Sequence, residues 1–134
     1  MTENDARGWI EQRFDAEATE RVARFADRVI AESEQQNLIA RSTLDAIWAR
    51  HILDSAQLIP LAGPIDETTR WLDIGSGAGF PGAIVALLLP AQVTLVEPRR
   101  RRADFLADAL CGAPNATVIT AKIEGAQLPS QQIV

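Results

Sequence analysis

Asp73, the glycines at 75, 77, 79 and 82, and Glu97 are the residues whose types and spacing point to chemistry. In the segment WLDIGSGAGFPG (residues 71–82) an apolar run ends in Asp73, and the glycines follow. The next seven residues, Ala83 to Leu89, are apolar at every position. This is the pattern of a strand, a tight glycine-rich turn and a buried helix. A glycine takes φ > 0 without strain and lets a ligand approach the backbone. The first N–H groups of the helix are then expected to be free to face that ligand. Gly77-Ala78-Gly79-Phe80-Pro81-Gly82 fits the dinucleotide pattern G-x-G-x-x-G, with Glu97 20 residues past Gly77. The acid two residues before Gly75 points elsewhere. A carboxylate at a strand tip repels a pyrophosphate and suits a cationic ligand, and S-adenosylmethionine, with an ammonium, a sulfonium and no phosphate, fits better than a nicotinamide. Asp73, Gly75, Ser76, Gly77 and Gly79 are the resulting cofactor candidates. Glu97, at the tip of the next strand, is expected to accept hydrogen bonds from both ribose hydroxyls.

The elements that must hold this loop follow from periodicity. Residues 1–62 read as a helical cap. Trp9, Ile10 and Phe14 mark a short first helix. Val22, Phe25, Ala26, Val29 and Ile30 mark a long second one, closed by Gln36-Asn37. Ser42 is the expected N-cap of a third, with Asp45 as its capping partner and Leu44, Ile47, Trp48, Ile52 and Leu53 as its apolar face. Pro60, Gly63 and Pro64 break the chain. Residues 63–134 alternate strand and helix, as in a parallel sheet. The expected strands are Trp71–Ile74, Gln92–Glu97 and Ala116–Thr120. The expected helices are Pro81–Leu89, with Pro81 at the first helical position, and Arg99–Cys111, stopping at Gly112. Gln131–Val134 reads as the opening of a fourth strand. The fold class is therefore α/β and Rossmann-like, with an incomplete sheet, and the chain is expected to be a fragment of a longer protein.

Composition bounds the function. Hydrophobic residues make up 47% of the 134, enough for a core. The longest apolar run, seven residues, is too short to cross a bilayer. The polar, acidic start Thr2-Glu3-Asn4-Asp5 is unlike a signal peptide. The single Cys111 excludes an internal disulfide and a cysteine zinc site. A cytoplasmic, metal-free monomer with no membrane contact is the expectation. The net charge of −5 argues against non-specific nucleic-acid binding, yet the charge is uneven. Residues 1–40 hold five arginines against nine acids, residues 41–134 eight basic residues against nine acids, and Arg99–Arg102 is a block of four cations. Cations at a helix start oppose the helix dipole, which suggests a phosphate partner; a solvated helix start is the alternative.

Taken together, Asn37-Leu38, Arg50-His51-Ile52-Leu53-Asp54-Ser55, the segment from Leu72 to Gly82, and Ile123-Glu124 resemble one family. It is the bacterial small-subunit (16S) ribosomal RNA guanine-N7 methyltransferases, also called glucose-inhibited division protein B. The resemblance runs from about Asn37 to Val134. It implies an S-adenosylmethionine-dependent methyltransferase fold, with ribosomal RNA or the small ribosomal subunit as partner. It further implies that Gly75 and Phe80 contact the cofactor, that Ile123 and Glu124 lie by its adenine, and that His51 and Asp54 either line the active-site mouth or fix the cap. Arg99 and Arg100 become candidates for contact with RNA. Family members continue past the fourth strand into a segment with a further arginine, and Glu97 stands where an aspartate is common. Guanine N7 carries no proton, so its methylation needs no general base, and positioning alone is worth about 7–11 kcal/mol. No catalytic residue is expected on that chemistry. A nicotinamide-dependent oxidoreductase and a non-catalytic cofactor-binding module are the competing functions.

Overall fold

The computed structural model describes residues 1–122 and the pair 132–133. Helix α1 (Glu3–Arg13) opens on a capping box in which Thr2 and Asp5 exchange side-chain-to-backbone bonds. Helix α2 (Ala16–Glu32) is capped by Asp15, which accepts from Ala18 N–H at 2.7 Å. Its buried stripe of Val22, Phe25, Ala26 and Val29 is the one the 3.6-residue period marks; Ile30, expected in it, is exposed instead.

The third cap helix departs from expectation. Ser42 is not an N-cap. Arg41–Ala46 is a 3₁₀ helix preceded by Ala40, where the Thr43 hydroxyl donates to Ala40 O at 2.8 Å. Trp48–Ile52 is a π-helical turn, which passes into the short helix α3 (Leu53–Ala56). A contact from far away in sequence accompanies the break: the Glu3 carboxylate of α1 accepts from Trp48 N–H at 3.0 Å and Ala49 N–H at 2.8 Å. These are donors that an uninterrupted helix would spend on its own carbonyls. A short 3₁₀ turn, Ile59–Ala62, ends at Gly63.

Four parallel strands follow the expected alternation: β1 (Arg70–Ile74), β2 (Gln92–Val96), β3 (Ala116–Ile119) and β4 (Gln132–Ile133), in the order β3-β2-β1-β4. Trp71 pairs with Val93 on one side and with Gln132 on the other. The chain therefore reverses direction across the sheet at β1, and ligands in open α/β sheets bind outside the carboxyl ends of the strands at such a switch point. Helix α4 (Gly82–Leu88) starts one residue later than expected, with Pro81 as its cap. It packs on β1 and β2 and also on α2 and α3, so every residue from Gly82 to Leu88 is buried. Helix α5 (Arg100–Ala109) buries Phe105 and Leu106. A single apolar cluster joins Phe25 and Ile52 of the cap to Ile84, Leu95 and Leu106 of the sheet layer.

Candidate cofactor site

The loop from Gly75 to Pro81 leaves the carboxyl end of β1, and two buried carboxylates bracket it. Asp73 is 5% exposed, and its Oδ2 accepts from Gly82 N–H at 2.8 Å. Glu97 is 1% exposed; one carboxylate oxygen accepts from Gly77 N–H at 2.9 Å and the other from Arg99 N–H at 2.8 Å. Burial pushes the Asp73 carboxyl up to about 6; the Gly82 N–H pulls it down and the Glu97 charge adds to the rise. Ser76 is buried and its hydroxyl donates to Asp73 O at 3.2 Å.

These contacts revise the expectation that helix-start N–H groups are free for a ligand. Gly75 and Ser76 N–H groups go to Val96 O, that of Gly77 to Glu97, and that of Gly79 to Ser76 O. Those of Gly82 and Ala83 go to Asp73 and Gly79 O. Most of the donors that cradle a pyrophosphate in a dinucleotide fold are thus spent inside the protein, next to two carboxylates, and among the described residues Ala78 and Phe80 N–H are the ones left.

The four glycines divide into two kinds. A Cβ added at Gly79, where φ is +100°, would lie 2.9 Å from Ala83 Cβ, Leu106 Cδ2 and Phe25 Cζ, and one at Gly82 would lie 2.5 Å from Asp73 Oδ2. Those two let the helix and the cap close onto the strand. Among the described residues, an added Cβ at Gly75 meets nothing within 4 Å, and one at Gly77 only Gly75 O at 4.0 Å. There the backbone faces open space at the switch point, a surface that admits a flat or extended ligand. Spacing alone does not separate the two kinds.

Phe80 closes the loop between two rings. His51 stacks on it at 5.2 Å between centroids with planes 24° apart, and Phe25 meets it edge-on at 6.1 Å. His51 Nε2 lies 2.8 Å from Thr43 Oγ1. Burial holds the imidazole below its ordinary pKa, with the Asp54 charge pulling the other way. Asp54 is exposed, and among the described residues its side chain makes no hydrogen bond to His51. His51 therefore joins the cap to the loop, while Asp54 stands apart from both. Thr43 carries no functional mark in the sequence, and Phe25 only the signal of an ordinary core residue.

The arginine block also divides. Arg101 donates to Gln35 O at 3.1 Å and Arg102 to Asn37 O at 2.8 Å, carbonyls just beyond the end of α2. Two of the four cations thus tie α5 to the segment that follows α2. Arg99 and Arg100 are exposed, and among the described residues Arg100 makes only a 3.7 Å surface pair with Asp104. Ile123 and Glu124 lie outside the described residues. Among the described residues no group of His, Cys, Asp and Glu is arranged to hold a metal, and no helix is long and apolar enough to cross a membrane.

A parallel α/β sheet with a glycine loop at its switch point defines a Rossmann-like cofactor-binding fold. Two solved structures share it. One is MtNAS in complex with MTA and tNA, at 20% identity and TM-score 0.54, covering 81% of this chain and 42% of that one. The other is a mutant of MtNAS in complex with S-adenosylmethionine, at 17% and 0.54, covering 84% and 44%. At those identities the likeness speaks to the fold. The model of the family described as rRNA small subunit methyltransferase G matches residues 18–134, and the chain belongs to that family. It is 48% identical to the Ribosomal RNA small subunit methyltransferase G of Rhizorhabdus wittichii, over 92% of this chain and 58% of the relative. It is 42% identical to that of Zymomonas mobilis, over 100% and 65%. The chain thus spans about three-fifths of the length of these curated relatives.

Proposed function

We propose that this chain forms the donor-binding part of an S-adenosylmethionine-dependent methyltransferase acting on guanine N7 in small-subunit ribosomal RNA, working as a cytoplasmic monomer. The family description supports methyl transfer and the RNA class. The observation that carries the cofactor assignment is the state of the loop: most of its N–H groups are spent, those of Gly75, Ser76, Gly77 and Gly79 among them, two buried carboxylates flank it, and Gly75 and Gly77 face open space among the described residues. A pyrophosphate finds few donors there and meets like charge. A sulfonium ligand needs no such cradle and gains from the nearby negative field.

In this reading Gly75, Ser76, Gly77 and Phe80 shape the floor and end of the donor site. Glu97 keeps a lone pair on each oxygen beyond the N–H it accepts, which suits it to accept from the ribose hydroxyls. Ile123 and Glu124 sit by the adenine, as the family resemblance suggests. The bound donor supplies an activated methyl group. N7 offers an unprotonated lone pair, so the protein's part is to hold both partners in line and exclude water. His51 and Phe80 lie at the junction of cap and loop, and Arg99 and Arg100 at the end of β2 reach toward RNA phosphates.

Isothermal titration of S-adenosylmethionine, its demethylated product and NAD distinguishes the readings. The expected result is binding of the first two and none of NAD; tighter binding of NAD reverses the assignment to an oxidoreductase. Incubating the protein and donor with small ribosomal subunits, then mapping the modified base, tests the acceptor. A methyl group at any atom other than guanine N7 overturns that part, and donor binding with no transfer at all favours the non-catalytic module.

A further inference from the structure

The cap and the loop meet through one ring stack, and the residues on the cap side are fixed from several directions. The π turn carrying His51 is held at its start by the Glu3 carboxylate through Trp48 and Ala49 N–H, with Arg7 lying over the Trp48 ring at 5.1 Å. From α3 the Ser55 hydroxyl donates to His51 O at 2.7 Å, and from the preceding 3₁₀ helix Thr43 Oγ1 meets His51 Nε2 at 2.8 Å. Such wide turns tend to mark functional positions in helices. The imidazole so fixed lies on one face of Phe80, and Phe25 of α2 abuts the same ring. Phe80 sits between Gly79, which has no room for a side chain, and Pro81, which opens α4. Its ring therefore sets where the loop ends.

We propose that His51 is a positioning residue for the donor site: stacked on Phe80 and held by Thr43, it fixes the loop from Gly75 to Gly82 in its ligand-receiving shape, so the cap controls donor affinity without touching the donor. The inference rests on the methyl-donor reading above for its affinity readout. It has a second readout that needs no ligand. Neither His51 nor Phe80 is fully buried, so the stack is a contact at the rim of the core. Its removal is expected to loosen the loop more than it unfolds the domain.

The test uses the full chain with His51→Asn, which removes the ring and keeps a hydrogen-bonding group toward Thr43, and with His51→Phe, which keeps a ring and loses that bond. Donor affinity is measured by calorimetry. Amide exchange is followed at Gly79 and Gly82, whose N–H groups bond to Ser76 and Asp73. With an aromatic pair at stake, His51→Asn is expected to weaken donor binding about three- to tenfold and to speed exchange at both amides by a similar factor. His51→Phe is expected to restore most of both. Phe80→Leu, which removes the other ring, is expected to match His51→Asn and to add little on top of it. Unchanged exchange at Gly79 and Gly82 in both His51→Asn and Phe80→Leu overturns the proposal. So does a loss in His51→Asn that His51→Phe fails to rescue. If the unaltered protein binds no S-adenosylmethionine, the donor reading fails by itself, and the exchange measurement still decides the role of His51.

Discussion

Asp73 is held where an ionised carboxylate is uncomfortable, 5% exposed and beside Glu97, with a carboxyl pushed from 3.8 to about 6. A carboxyl whose pKa is higher folded than unfolded favours the folded state when protonated. Its contribution is present in full below the unfolded value near 4 and is lost as pH rises through about 6. At 1.36 kcal/mol per unit this loss amounts to about 3 kcal/mol. Asp73→Asn keeps an oxygen for Gly82 N–H and removes the charge. Denaturant unfolding is therefore expected to find the variant more stable than the parent at pH 8, by about 1–3 kcal/mol, with the difference vanishing at pH 4. An equal difference at both values excludes the buried charge as its cause. The glycines give a second contrast at this scale. Gly77→Val has open space around the new side chain but a φ of +56°, so it is expected to distort the loop and abolish donor binding while the domain stays folded. Gly79→Ala pushes a methyl into Ala83, Leu106 and Phe25 and is expected to lower thermal stability instead. The spacing of the glycines makes the loop legible in the sequence. That Gly79 faces the core depends on Phe25 of α2 and Leu106 of α5, which lie far from the loop in the chain, and that Gly82 is closed off depends on how Asp73 of β1 turns toward it.

The elements divide along the same line between local and distant causes. Strands β1 to β3 and helices α4 and α5 lie within a residue or two of the ranges expected from the sequence, because each is specified by its own apolar pattern and the turn residues that follow it, whereas α2 ends at Glu32, short of the Gln36-Asn37 close expected for it. The third cap helix is not legible in this way, because its geometry depends on Glu3, 45 residues before Trp48. Seen locally, Ser42 and Asp45 make a reasonable helix start; a carboxylate arriving from α1 supplies acceptors that break the run into 3₁₀, π and α turns. If that contact shapes the cap, Glu3→Ala leaves two half-buried N–H groups without acceptors and is expected to cost about 1–2 kcal/mol. Chemical denaturation measures it. A variant as stable as the parent means that water replaces the carboxylate and that the π turn has another origin. The tie between Arg102 and Asn37 O is likewise hidden, since a block of four arginines looks alike in sequence whichever of them are spent inside the fold.

Over the whole molecule, an acidic protein of net charge −5 is proposed to act on RNA, so the location of its cations matters more than their number. Arg101 and Arg102 are engaged with carbonyls beyond α2, and Arg28 with Asp108. Arg99 and Arg100 remain exposed just past the carboxyl end of β2, the sheet edge that carries the glycine loop. A phosphate held there would lie on the same edge as the donor. Replacing Arg99 and Arg100 together by Gln is expected to weaken RNA binding uniformly across sequences. It should also flatten the dependence of log affinity on log salt by about one unit for each phosphate no longer neutralised. Replacing Arg101 and Arg102 instead is expected to leave the salt slope nearly unchanged and to lower stability, because those guanidinium groups anchor the segment between α2 and the 3₁₀ helix Arg41–Ala46. Binding isotherms at several salt concentrations, with both double variants side by side, separate the roles. If the two variants flatten the slope equally, the four arginines act as one diffuse patch. If neither does, the RNA-facing surface lies elsewhere, and the donor site, which uses none of these side chains, is unaffected by that result.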